Sequence, residues 1–127
     1  MDILELLNSI TQQKASDLHL TIGIPATMRL NGRLHRIDDC ILGPDDMKTH
    51  IQQLLSAEQK ETLDQMGEVD FSYSLRGIGR FRVNAFKQRG SYSLAVRAIA
   101  STIPTIEQLG LPGILKELSD KQRGLIL

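Results

Sequence analysis

The sequence predicts an α+β domain, a mostly antiparallel sheet with flanking helices. Hydrophobic spacing switches along the chain between the helical period and strict alternation, and glycine-containing turns separate the alternating segments. The chain has 127 residues and is 41% hydrophobic, which suits one ordinary domain, or one domain and the opening of a second.

Each element follows from its residues. Ile3, Leu6, Leu7 and Ile10 share one face of an opening helix that runs to about Lys14. Residues 16–22 alternate, with Leu18, Leu20 and Ile22 on one side and Asp17, His19 and Thr21 on the other. Pro25 begins an extended piece through Met28 and Leu30. Asn31-Gly32 then supplies the two positive-φ positions of a tight hairpin, before a return strand carrying Leu34 and Ile37. Pro44-Asp45-Asp46 reads as a helix start, with Met47, Ile51, Leu54 and Leu55 as the apolar stripe. Ser56 and Gln59 form a capping box for a second helix, which ends before Gly67. Alternation returns at Val69, Phe71, Tyr73 and Leu75. Turns at residues 76–79 and at Arg89-Gly90 lead into two further strands. Pro104 breaks the pattern, so residues 101–105 read as a linker, with short helices expected at 106–109 and 114–118. Gly124-Leu125-Ile126-Leu127 reads as the first half of a buried strand.

Composition narrows the function classes. Lys+Arg and Asp+Glu number 15 each, so no global field steers the chain onto nucleic acid or an acidic membrane. Cys40 is the only cysteine, which excludes an intrachain disulfide and fits a reducing compartment. The opening residues are acidic and lack a basic n-region, which argues against a signal peptide. No apolar run approaches the roughly 20 residues of a membrane span. The expectation is a cytoplasmic domain with no nucleic-acid partner and no membrane insertion.

Two arginines stand out. Arg80, Arg82 and Asn84 lie on the side of their strand opposite Phe81, Val83 and Ala85, and Arg97 lies opposite Leu94 and Val96 on the next strand. A symmetric turn at Arg89-Gly90 sets Arg82 across from Arg97. Like charges paired on a ladder are destabilising unless an anion or a carboxylate neutralises them. Pattern alone favours a solvated face with ion pairs to Asp70 or Glu68. His19, His35 and His50 make no metal-ligand spacing with Cys40 and read as surface or satisfied histidines. Asp17 and His19 share a strand face and can orient one another. Asp45-Asp46 suits a helix N-terminus rather than catalysis. Gly77-x-Gly79 joins two strands, so it is no dinucleotide fingerprint.

Three segments carry a family likeness: Ala15-Ser16-Asp17-Leu18-His19-Leu20, Gly79-Arg80-Phe81-Arg82-Val83-Asn84-Ala85-Phe86 and Arg123-Gly124-Leu125-Ile126-Leu127. In that order they resemble the PilT-type retraction ATPases of the secretion ATPase superfamily. Ile103-Pro104-Thr105 and Gln108-Leu109-Gly110 lie between them at family spacing, so the resemblance covers essentially the whole chain. The first signature is more similar to the PilT type than to the PilU type.

The resemblance implies a PAS-like N-terminal domain over residues 1–100. Residues 101–127 would be a linker and the first elements of a RecA-like motor domain, cut before its phosphate-binding loop. The parent would be a hexameric ATPase using ATP and Mg for pilus retraction and twitching motility. It would lie at the cytoplasmic side, peripheral to the inner-membrane pilus base, touching the platform machinery and neighbouring subunits. No G-x-x-x-x-G-K-[ST] occurs in this chain, so on its own it is expected to carry no catalytic residue, to bind no cofactor tightly and not to hydrolyse ATP. The resemblance also implies that Arg82 and Arg97 reach nucleotide phosphates held by the motor domain. Asp17 and His19 would lie near a neighbouring subunit. An alternative from another class is a free-standing PAS-like sensory domain that holds a small ligand in its core.

Overall fold

Helix α1 (Ile3–Gln12) is fixed at its start by a reciprocal cap in the computed structural model, which describes residues 1–100 and 102–127. The Asp2 carboxylate accepts from the Leu4 amide, and Glu5 accepts from the Asp2 amide, so two otherwise unpaired donors are satisfied. Ile3, Leu6, Leu7 and Ile10 are all buried, as their spacing predicts.

Six strands form one sheet. β1 (Asp17–Thr21), β2 (Pro25–Leu30) and β3 (Arg33–Ile41) precede helices α2 (Pro44–Leu54) and α3 (Ala57–Met66). β4 (Glu68–Leu75), β5 (Gly79–Gln88) and β6 (Ser91–Ile99) follow. The order is β3-β2-β1-β6-β5-β4, and every adjacent pair is antiparallel. The predicted α+β class with an antiparallel sheet and flanking helices is therefore what the chain adopts. Both tight hairpins use paired left-handed residues, Asn31 (φ 49°) with Gly32 (φ 80°) and Arg89 (φ 50°) with Gly90 (φ 77°). The Ser56–Gln59 capping box forms as expected, and Gly67 at φ 85° closes α3.

One sheet face makes the core. Leu18, Leu20, Met28, Phe81, Val83, Ala85, Leu94 and Val96 pack with the apolar stripe of α1, with Met47, Ile51 and Leu54 of α2, and with Leu63 of α3. Fully burying a side chain of this size contributes about 1.5–3 kcal/mol. Asp64 on α3 is tied to the sheet by the Lys87 ammonium (2.8 Å) and the Tyr92 hydroxyl (2.8 Å). The opposite sheet face carries the polar alternates and stays open at Arg82 and Arg97.

Beyond β6 the expectations are met unevenly. Ser101, where the linker reading begins, lies outside the described residues. The helix expected at 106–109 closes only as one turn, capped by Thr105 and Gln108 and ended by Gly110 at φ 67°. The second is a short helix, α4 (Ile114–Ser119). Residues 124–127 are not a strand. A strand needs a neighbour for its ladder, and among the described residues none pairs there, so Leu125 is 83% exposed. No described residue from 102 to 127 is buried.

Candidate functional site

Three registers align one row of side chains across the open face. The β5–β6 pairing sets Arg82 opposite Arg97, β6–β1 sets Arg97 opposite Asp17, and β1–β2 sets Asp17 opposite Arg29. Alternation then turns all four side chains away from the core. Asp70 enters diagonally from β4, where its direct partner is Asn84.

The row is neutralised from two sides. Arg97 Nε donates to Asp17 Oδ1 at 2.9 Å, while Asp17 Oδ2 accepts from the Ser16 hydroxyl at 2.8 Å and lies 3.5 Å from Arg29 Nε. Arg82 donates to Asp70 through Nε (3.2 Å) and Nη2 (2.7 Å), a bidentate grip. Both arginines are accessible, with side chains 67% exposed for Arg82 and 72% for Arg97. Between them lies a shallow depression of about 240 Å³, lined also by His19 and Asn84.

Ionisation follows the contacts. Burial opposes charging of the Asp17 carboxyl, but the Ser16 and Arg97 hydrogen bonds and the positive charges around it prevail and hold it below its ordinary value. The hydrogen bond from Arg82 likewise holds Asp70 low, and that same contact raises Arg82.

The predicted opposition of Arg82 and Arg97 is present, and each turns outward to a carboxylate of its own, Arg82 to Asp70 and Arg97 to Asp17. Of the two carboxylates suggested for the arginines, Asp70 is used. Asp17 and His19 share a face without a hydrogen bond between them. Asp17 is oriented by Ser16 and Arg97 instead, and His19 Nε2 is buried without a partner among the described residues. His50 departs from the surface or satisfied reading. It is 3% exposed on the core face of α2, with both ring nitrogens unpartnered among the described residues. Among those residues no group of three potential ligands is placed to hold a metal ion. No helix among them is long and apolar enough to cross a membrane.

No protein-family model matches the chain. Over its whole length it is homologous to part of the type IV pilus ATPases. It is 39% identical to the type IV pilus retraction ATPase PilT and 37% identical to the type IV pilus ATPase PilU, both of Pseudomonas aeruginosa. The chain spans 37% and 33% of those two proteins, about a third of their length. A twitching motility protein of Neisseria gonorrhoeae is 30% identical over 126 residues. In structure, 95% of the chain matches 36% of the pilus retraction motor PilT with bound ADP, in its N-terminal region, at a TM-score of 0.78 and 38% identity. The Legionella pneumophila ATPase DotB matches at a TM-score of 0.73 and 26% identity, with 34% of that chain covered.

Proposed function

We propose that this chain is the N-terminal domain of a type IV pilus retraction ATPase, and that Arg82 and Arg97 sense the phosphates of a nucleotide held by the motor domain. One observation carries the reading. Two exposed guanidinium groups are set side by side by strand register on a face that the core does not use. Guanidinium suits that task, because its planar fork of donors matches phosphate oxygens. The bound ADP of the PilT structure supports a nucleotide as the ligand of the parent.

The chain itself offers arginines for phosphate but no phosphate loop, so ATP and Mg belong to the parent and not to this domain. When bound there, ATP supplies the phosphoryl group whose transfer to water drives the motor. Residues 101–127 are assigned to the linker and the first elements of that motor. The open face would also meet a neighbouring subunit of a hexamer through Asp17 and His19, and the parent would work at the cytoplasmic side of the pilus base. A core-bound ligand, as in the sensory-domain alternative, would have to displace packed side chains such as Leu18 and Phe81.

The test is turnover in the full-length protein with Arg82→Ala or Arg97→Ala, normalised to folded assembly. Loss of activity with the fold retained supports sensing. Unchanged turnover sinks it. The 127-residue chain alone, lacking the phosphate loop, is expected to show no turnover above a buffer blank.

A further inference from the structure

We infer that the two arginines are held for different tasks by their two carboxylates: Asp17 positions Arg97 for phosphate, and Asp70 competes with phosphate for Arg82. The inference rests on the phosphate-sensing reading and gives roles to two acidic residues that it leaves without any toward the nucleotide.

The hydrogen bonds differ in which edge of each guanidinium they consume. Among the described residues Arg97 commits only Nε, which pins the plane of the group and leaves both terminal nitrogens for an incoming anion. Its anchor is rigid. Asp17 sits on a central strand with a side chain only 13% exposed, and Ser16 and Arg29 hold its second oxygen. Arg82 instead spends Nε and Nη2 on Asp70, which is the edge a phosphate would take bidentately. Carboxylate and phosphate present the same pair of acceptor oxygens, so they exclude one another there. Asp70 stands on the edge strand β4 with a side chain 42% exposed, and it can withdraw into water at low cost.

Charge agrees with an anion arriving. Three guanidinium groups (Arg29, Arg82, Arg97) face two carboxylates (Asp17, Asp70), which leaves one positive charge in the row. A phosphate that displaces Asp70 meets all of Arg82 and the free end of Arg97 together. Asp70 therefore sets how much phosphate is needed, and Asp17 sets how well Arg97 is aimed once it has arrived.

The experiment measures KM and kcat for ATP in the full-length protein. Asp70→Asn and Asp17→Asn are made alone, then in Arg82→Ala and Arg97→Ala backgrounds respectively. Asp70→Asn should lower KM about two- to five-fold, the scale of an exposed ion pair, and the effect should vanish without Arg82. Asp17→Asn should lower kcat more than it changes KM and cost nothing further without Arg97. An Asp70→Asn variant whose KM is unchanged or raised overturns the proposal, as does a fall in KM that persists in Arg82→Ala. Asp70 is exposed and outside the core, so that arm stands whether or not Asp17→Asn folds. Should Arg82→Ala and Arg97→Ala both leave turnover intact, the phosphate-sensing reading itself has failed. Loss of turnover in both, with no Asp70 effect, removes this inference alone.

Discussion

Arg82 and Arg97 face one another in register across β5 and β6, yet their guanidinium groups turn apart, one to Asp70 on β4 and the other to Asp17 on β1. The conflict of two like charges on one ladder is relieved by a carboxylate on either flank. Neither arginine supports the core on the other face.

It follows that Arg82→Ala and Arg97→Ala should each move the melting temperature by no more than about 3 °C. Turnover of the full-length protein should fall about ten-fold or more, as expected when a positioned donor to a reacting phosphate is lost. Lysine at either position should restore activity only partly, since it keeps the charge and loses the planar fork. Calorimetry and a steady-state assay on the same preparations check both halves. A large drop in stability with normal activity per folded assembly would make the arginines structural.

His50 gives a stability change near neutral pH. Its burial disfavours the charged ring and lowers its pKa, although Asp46 and Asp2 pull the other way and the N-terminal amine adds to the lowering. Below the usual histidine value of about 6.5 the unfolded chain takes up a proton that the folded chain refuses. Stability should therefore fall as pH drops from about 6.5 toward the folded value. His50→Leu removes two unpartnered polar nitrogens, so it should add about 1–2 kcal/mol at neutral pH and flatten this part of the profile. Denaturant melts between about pH 5 and 7.5 will decide it; a wild-type profile that does not slope there refutes the assignment.

Asp17 acts at more acid pH. Its folded pKa is depressed below that of the unfolded chain, so its contribution is complete above about pH 4 and disappears as pH falls through the folded value. Asp17→Asn should cost up to about 1 kcal/mol at neutral pH by weakening its contacts to the exposed Arg97 and Arg29 together. The variant should also lose part of the acid limb of the stability curve. Parallel acid titrations of variant and wild type, followed by circular dichroism, measure both effects.

The arginine opposition was legible in the sequence because it is local. Alternation fixes the face, and a dipeptide turn fixes the register. Asp17 with Arg97 was not legible, because those residues lie 80 positions apart and no periodicity states which strands become neighbours. His50 was visible in principle. It falls between Met47 and Ile51 on the same helical stripe, and its polar character kept it out of the predicted core. The tail from 124 reads as half of a strand, and its apolar run stays exposed because a strand forms only where another is present to receive it.

The hairpins suggest a stabilising exchange. Asn31-Gly32 and Arg89-Gly90 adopt the same pair of left-handed conformations, but asparagine tolerates that region better than arginine. Arg89→Asn should therefore raise stability by about 0.5–1 kcal/mol, and Asn31→Arg should lower it by a similar amount. Thermal melts of the two variants test the pair, and movement in the same direction would contradict the account.

The strand order also sets when the domain can form during synthesis. β1 is the first strand of this sheet to be made, but one of its two neighbours is β6, the last of the six. Until about residue 99 is free, β1 and β2 carry a half-built apolar face with one long edge unpaired. β1, β2 and β3 must wait on the nascent chain for β6, and the sheet closes in a late step that joins strands distant in sequence. A ribosome stalled before residue 90 should present a protease-sensitive chain, and one stalled far enough past residue 99 to clear the exit tunnel a resistant one.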